Sequence, residues 1–441
     1  MGGFVARDGF CKPRGPRVAI QVRTDSRDKS AQIEKEREKN QESRRNRPDL
    51  GFNYLKLGCD PANGKLKNLP KSLIAKIERG GSMKKPVLVT GGAGFVGSNL
   101  VCCLLRDGHP VTILDSLARR GSEQNLAWLR RQNSRGLLRF IHGDVRNAED
   151  SRTAAKDADI IYHLAGQVAV TTSVEDPRTD FEVNALGTFN MLEAARSSGR
   201  KPIFVFTSTN KVYGGMEEVA VTEGSRSYSY RDCPDGIPES QPLNFHSPYG
   251  CSKGAGDQYV RDYNRIYGLA TVVFRMSCIY GPRQFGNEDQ GWVAHFMIAA
   301  MKGEPITIYG NGKQVRDVLF VDDLVHAFKL AHEKIQKTAG QIYNIGGGPG
   351  NTLAVWSEFG ELLASLKGEH VSIRYGDWRL GDQPCYISDI RKAHADMGWK
   401  PNVDKLTGIR RLWEWISANE KLFARPLAGA DGRAAVAKGA A

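Results

Sequence analysis

The sequence predicts an α/β fold, a doubly wound parallel sheet with a smaller C-terminal lobe. Three observations carry this reading. From residue 83 onward, short apolar runs alternate with helical patterns, the order that builds a parallel sheet. The first run, Val87–Val89, breaks into Gly91, Gly92, Gly94 and Gly97 and then enters a helical pattern at Ser98–Arg106. A second run, Val111–Asp115, ends in an acid 18 residues after Gly97.

Val87–Val89 is short and wholly apolar, as suits a strand buried on both faces. Gly91 permits the tight turn after it, Gly94 lets the backbone approach a pyrophosphate, and Gly97 lets the helix pack close to the strand. The amides around Phe95 and Val96, with the positive end of the helix dipole, then offer an anion site. Asp115 stands where a ribose hydroxyl needs an acceptor. Glycine spacing alone is weak evidence. Strand, glycines, helix, strand and acid in this order specify a Rossmann dinucleotide site. The carboxylate favours NAD, since it repels the 2′-phosphate of NADP, although Arg119 and Arg120 follow closely.

The next strands are predicted at Arg139–Asp144, Asp159–Leu164, Pro202–Ser208, Thr271–Ile279 and Ile342–Ile345. Helical patterns fall at Phe181–Ser197, Ser247–Tyr267 and Leu353–Leu366, the last capped by Thr352. Gly346–Gly350 lacks the phosphate-loop spacing and reads as a loop before that helix. Residues 83–270 form the nucleotide-binding domain, and 271–423 mostly form the smaller lobe, interleaved with the sheet. Residues 1–82 read as a separate basic leader, charge-dense and free of aromatics from Lys29 to Arg47, with a short helix possible at Leu69–Arg79. That leader is either a basic arm or an over-long start, the second being preferred. Acids among residues 25–49 argue against a transit peptide. The Ala- and Gly-rich tail, 424–441, is expected to be disordered.

The chain has 441 residues and a net charge of +13. Residues 1–82 hold 19 Lys and Arg against 10 Asp and Glu, which leaves +4 for the remaining 359 residues. The basic excess therefore lies outside the folded body, and no nucleic-acid partner is expected. Eight cysteines show neither zinc-type pairing nor a disulfide framework, so no metal site is expected and the compartment is reducing. No apolar run approaches the ~18 residues of a membrane span, and the N-terminus lacks a signal core. The expected location is cytoplasmic.

Tyr249 and Lys253 stand four apart at the start of the predicted helix Ser247–Tyr267, which puts phenol and ammonium on one face. A nearby cation would lower the tyrosine pKa toward that of a useful base. Upstream, Thr207-Ser-Thr209 ends a strand, where open sheets present ligand-binding residues. His163 ends another strand and reads as structural, His246 as an open candidate for substrate contact, and Trp292 as either a sugar-nucleotide contact or a loop anchor.

These features resemble the extended short-chain dehydrogenase/reductase family of nucleotide-sugar epimerases and dehydratases, over residues 83 to 420. The resemblance implies tightly held NAD and a set of roles. Tyr249 would act as base and acid on a sugar hydroxyl, Lys253 would hold the nicotinamide ribose, and Thr209 would hydrogen-bond the reacting oxygen. Asp144 and Val145 would contact adenine, and Leu164, Ala165, Gly166 and Asn184 would line the cofactor. Arg316 and Arg379 resemble the family's diphosphate clamps, a task suited to forked donors. A homo-oligomer is expected. The runs His163–Ser173, Ser208–Gly214, Phe245–Gly254 and Asp289–Val293 resemble the branch that epimerises CDP-3,6-dideoxyhexoses at C2. Two departures narrow the field. Cys278 stands where a substrate-touching Asn is common, and Asn210-Lys211 replaces the acidic pair with which 4,6-dehydratases drive elimination. Another 4-epimerase or reductase is the same-class rival, and a non-catalytic NAD-binding scaffold the rival of a different class. A scaffold would need none of Thr209, Tyr249 and Lys253.

Overall fold

The computed structural model describes residues 84–379 and 382–423. The leader with its possible helix at Leu69–Arg79, and the tail 424–441, lie outside the described residues. The central sheet contains β1 (Val87–Thr90), β2 (Val111–Asp115), β3 (Leu138–His142), β4 (Ile160–His163), β5 (Ile203–Thr209), β6 (Thr271–Met276) and β7 (Gln341–Ile345). Its order is β7-β6-β5-β4-β1-β2-β3, parallel throughout. The longer helices are α1 (Phe95–Arg106), α2 (Ser122–Gln132), α3 (Ala148–Ala155), α4 (Gly187–Ser197), α5 (Ser247–Tyr267), α6 (Trp292–Met301), α7 (Val321–Glu333), α8 (Phe359–Lys367) and α9 (Lys405–Ala418).

The pleat of β1 shows why its run is wholly apolar. Val87 and Val89 enter a core with Leu100 and Leu104 of α1, Leu126 of α2 and Phe328 of α7. Leu88 points the other way, to Ala154 of α3, Met191 and Leu192 of α4 and Val260 of α5. Strand order reverses between β1 and β4, so a crevice opens beyond their carboxyl ends, the place where open sheets bind ligands.

The smaller lobe has its own core, with Phe296 and Met297 of α6, Phe359 and Leu363 of α8, and Leu412 and Ile416 of α9. Its main strand, Val315–Phe320, pairs with Cys278–Tyr280, Thr352–Ala354 and Cys385–Tyr386.

Several boundaries differ from the sequence reading. The strand expected at Thr271–Ile279 is two strands, broken at Ser277. The first stays in the central sheet and the second joins the lobe. The Ser277 hydroxyl donates to Asp317 and its N–H to the Ile345 carbonyl, which fixes the break. The helix expected from Leu353 begins at Phe359, and Thr352 does not cap it. Thr352–Ala354 is instead an edge strand with Leu353 opposite Arg316, a case of ladder pairing overriding helical spacing. β3 stops at His142, because the Asp144 amide turns to the Asp150 carboxylate. α1 starts three residues earlier than read, at Phe95. Glu182–Leu186, inside the expected Phe181–Ser197 helix, forms a π turn, a feature frequent at functional sites.

Candidate active site

The β1–α1 turn meets the demands made of its glycines. Gly91 has φ +67°, and a Cβ there would lie 2.8 Å from the Ala165 nitrogen, so this loop and the end of β4 touch backbone to backbone. A Cβ on Gly97 would lie 2.2 Å from the Gly91 carbonyl oxygen, a contact that no side chain survives. Gly94 is open, a Cβ meeting only the Gly91 oxygen, at 3.1 Å. Phe95 and Val96 head α1, where amides have no partner within the helix. Both oxygens of Asp115 accept backbone N–H groups, from Ala93 and Leu117 at 2.9 Å, which aim the carboxylate across the glycine turn. Asp144 is gripped by Arg146 at 2.8 Å, and the Val145 carbonyl accepts from Asn190 at 2.9 Å.

Deeper in the crevice, a Cβ on Gly166 would lie 2.8 Å from Lys253 Nζ and 2.9 Å from Asn184 Oδ1. Glycine at that position keeps a cradle clear in front of both groups. Asn184 Oδ1 is buried and has no hydrogen-bond partner. A ligand hydroxyl or amide would satisfy it, as a nicotinamide ribose requires. These residues fit a dinucleotide.

Tyr249 and Lys253 lie on the first turns of α5, and both are buried. The Tyr249 hydroxyl hydrogen-bonds Thr209 at the end of β5, and its backbone N–H donates to Ser173 at 3.1 Å. Lys253 Nζ donates to the Thr207 carbonyl at 3.1 Å and sits over the Phe206 ring. The expected lowering of the Tyr249 pKa by Lys253 is not found. Burial pushes the phenol up to about 12. The Thr209 hydrogen bond and Arg119 pull it down, and Asp180 pushes it up. Lys253 is itself brought down to about 8 by burial, against the pull of Asp180. Desolvation outweighs pairing when both partners are enclosed.

His163 is structural. The Thr188 hydroxyl donates to the Asn184 carbonyl at 2.6 Å, so its lone pair accepts from His163 Nε2–H at 3.1 Å. The Nδ1 then accepts from the Thr90 hydroxyl at 2.7 Å, and burial holds the ring neutral, with a pKa of about 3. His246 is exposed at the start of α5. Trp292 is the first residue of α6, packs edge-on against Phe296 and Phe359, and faces the Cys278 sulfur.

Arg316 of the lobe and Lys211 from the turn after β5 gather on one acid. Arg316 pairs with Asp382 at 2.7 Å, and Lys211 Nζ lies 3.9 Å from the same carboxylate. Burial would raise the Asp382 pKa, but Arg316 and Lys211 hold it below the usual carboxylate range. Arg379 sits nearer the rim, 3.9 Å over the Tyr309 ring and donating to the Glu288 carbonyl at 3.1 Å. The two arginines thus flank the site at different depths.

Three residues that the sequence reading did not single out belong to this site, Asp180, Ser252 and Asp382, and Lys211, read there only as a departure from the dehydratases, joins them. Asp180 lies four before Asn184, and Ser252 three after Tyr249, so helical spacing could have found both. Asp382 carries no local signal.

The family model for the NAD dependent epimerase/dehydratase family matches residues 87–346. A CDP-paratose 2-epimerase of Salmonella typhi is 43% identical over 339 residues, covering 75% of this chain and 99% of that protein. A dTDP-glucose 4,6-dehydratase of Streptomyces venezuelae, solved with NAD, matches with a TM-score of 0.66 and 31% identity, over 76% of this chain and 98% of its own. A UDP-glucose 4-epimerase of Thermotoga maritima, solved with UDP-glucose, matches with a TM-score of 0.65 and 31% identity, over 76% and 99%. With the glycine turn, the Asp115 acceptor and the Thr209–Tyr249–Lys253 grouping in place, the chain belongs to the NAD dependent epimerase/dehydratase family and uses NAD.

Proposed function

We infer that this enzyme epimerises a CDP-3,6-dideoxyhexose at C2, interconverting CDP-paratose and CDP-tyvelose. The observation that carries this reading is a complete Thr209–Tyr249–Lys253 set beside Lys211, where elimination chemistry needs an acid. A cation there cannot remove a proton from carbon, which argues against dehydration. Similarity to the CDP-paratose 2-epimerase supports the choice of sugar.

In this reading Gly91, Gly94, Phe95, Val96 and Gly97 hold the cofactor's pyrophosphate, and Asp115 its adenosine ribose. Asp144 and Val145 flank the adenine, and Leu164, Ala165, Gly166 and Asn184 line the remainder. NAD, when bound, supplies a reversible hydride acceptor. Thr209 orients the C2 hydroxyl by hydrogen bond, and Tyr249 exchanges the proton of that hydroxyl. Lys253 fixes the nicotinamide ribose. Arg316 and Arg379 hold the diphosphate, so that the sugar alone reorients between its two faces. The enzyme works as a homo-oligomer, supported by exposed apolar side chains on α4 and α5, Phe189, Tyr259, Ile266 and Tyr267.

The test is turnover of CDP-paratose in D₂O. The expected product is epimerised at C2 with no solvent deuterium there, and substrate deuterated at C2 keeps its label. Solvent deuterium at C2 would mean deprotonation at carbon and defeat the reading. Epimerisation at C4 would reassign the enzyme to a neighbouring branch.

A further inference from the structure

Asp180 is a fully buried acid to which nothing above assigns a task. It lies in the short helix Pro177–Phe181, immediately before the π turn that carries Asn184. Its Oδ2 accepts from the Ser252 hydroxyl at 2.5 Å and its Oδ1 from the Asn184 amide at 3.0 Å. The same Asn184 amide nitrogen donates to Ser252 Oγ at 3.1 Å. With both N–H bonds directed at Asp180 and Ser252, Asn184 Oδ1 must point the opposite way, into the cradle in front of Gly166 and Lys253. A buried carboxylate is costly to ionise without partners, so this placement needs a compensating charge.

We propose that Asp180 is the positioning residue of this site, the internal counter-ion that keeps Lys253 charged and locks the Asn184 amide with its oxygen toward the cofactor. The proposal deepens the reading of the site as an NAD-dependent epimerase and rests on it. The groups facing Asp180 are few. From α5 come Lys253 and Tyr249, both of which feel its charge. Beyond them His163 is held neutral, and Arg119 acts on Tyr249 from the cleft mouth. On its own stretch Arg178 pairs with Glu182 at 3.0 Å, and Asp176 caps the helix by accepting from the Thr179 N–H. Glu175, on the preceding helix, is exposed. Burial pushes the Asp180 carboxyl upward, while Ser252, Lys253 and Asn184 favour its ionised form. An anion whose charge reaches both Lys253 and Tyr249 raises the pKa of both, so removing it displaces both downward.

The variant is Asp180→Asn, which keeps the size and one accepting oxygen, turns the other oxygen into an N–H donor, and removes the charge. Lys253 is read directly in the full-length protein by competitive acetylation with acetic anhydride across pH, quantified by peptide mass spectrometry. The expected midpoint lies about one unit lower than in the wild type, and the alkaline limb of the pH–rate profile moves down with it. Ser252→Ala, which removes a hydrogen bond but no charge, is expected to leave the midpoint in place. An unchanged Lys253 midpoint in Asp180→Asn overturns the proposal, as does a rate loss with no displacement of the profile. Asp180→Ser serves as the second neutral variant. If neither folds, Asp180 is a fold residue and the proposal fails. The acetylation readout needs no substrate, so a lowered midpoint with no turnover of any CDP-sugar would defeat the functional reading and leave the role of Asp180 standing.

Discussion

On the cofactor side of the cleft, backbone does most of the work: glycines at 91, 94, 97 and 166 and helix-start amides form the surface. On the side proposed for the sugar, side chains do it. Arg316, Lys211 and Arg379 gather around Asp382 from segments some 170 residues apart in sequence. A backbone site tolerates few substitutions but is written contiguously in the chain. A side-chain site can be retuned one residue at a time, which lets one cofactor platform serve many sugars.

That contrast can be broken or sharpened by experiment. The largest effect is expected where the two halves meet. Tyr249→Phe removes one hydroxyl and no packing volume, so turnover should drop about 10²–10⁴-fold with NAD still bound. A variant keeping a tenth or more of the rate would move the proton-transfer role elsewhere. Gly97→Ala tests the backbone half. Its Cβ meets the Gly91 carbonyl at 2.2 Å, so copurified NAD should fall sharply and stability by about 1–3 kcal/mol, both measurable by absorbance and thermal melt. Unchanged NAD content would show the turn to be looser than the geometry requires.

Arg316→Met tests the other half. It strips Asp382 of its nearest partner and should raise KM for the nucleotide-sugar about tenfold or more while NAD stays bound. Loss of NAD instead would mean that the two halves are not separable. The mildest effect is in pH. Lys253 has its pKa lowered to about 8, so its ammonium is intact below that value and is lost as pH rises through it. Activity should decline over that interval and recover on return to neutral pH.

The same division decides what could be read from the chain. The β1–α1 turn, Asp115 and the Tyr249–Lys253 pair are local patterns imposed by steric and helical periodicity, and they stand in the structure as the sequence has them. The strand break at Ser277 was hidden because both halves of the run are apolar, and only the Asp317 and Ile345 contacts separate them. The strand at Thr352–Ala354 was hidden because its partner lies some 35 residues earlier, in Val315–Asp317. Asp382 became a site residue only through tertiary contact with Arg316 and Lys211. The pKa of Tyr249 followed burial, which spacing along a helix does not report.

The broken strand at Ser277 has a mechanical consequence. Thr271–Met276 is bonded into the central sheet on two sides and Cys278–Tyr280 into the lobe, with one residue between them. Force applied to either layer passes straight through that residue to the other, so the two resist rotation as a girder does across a rivet. On this coupling, the protein should keep the same radius of gyration in X-ray scattering with and without nucleotide-sugar.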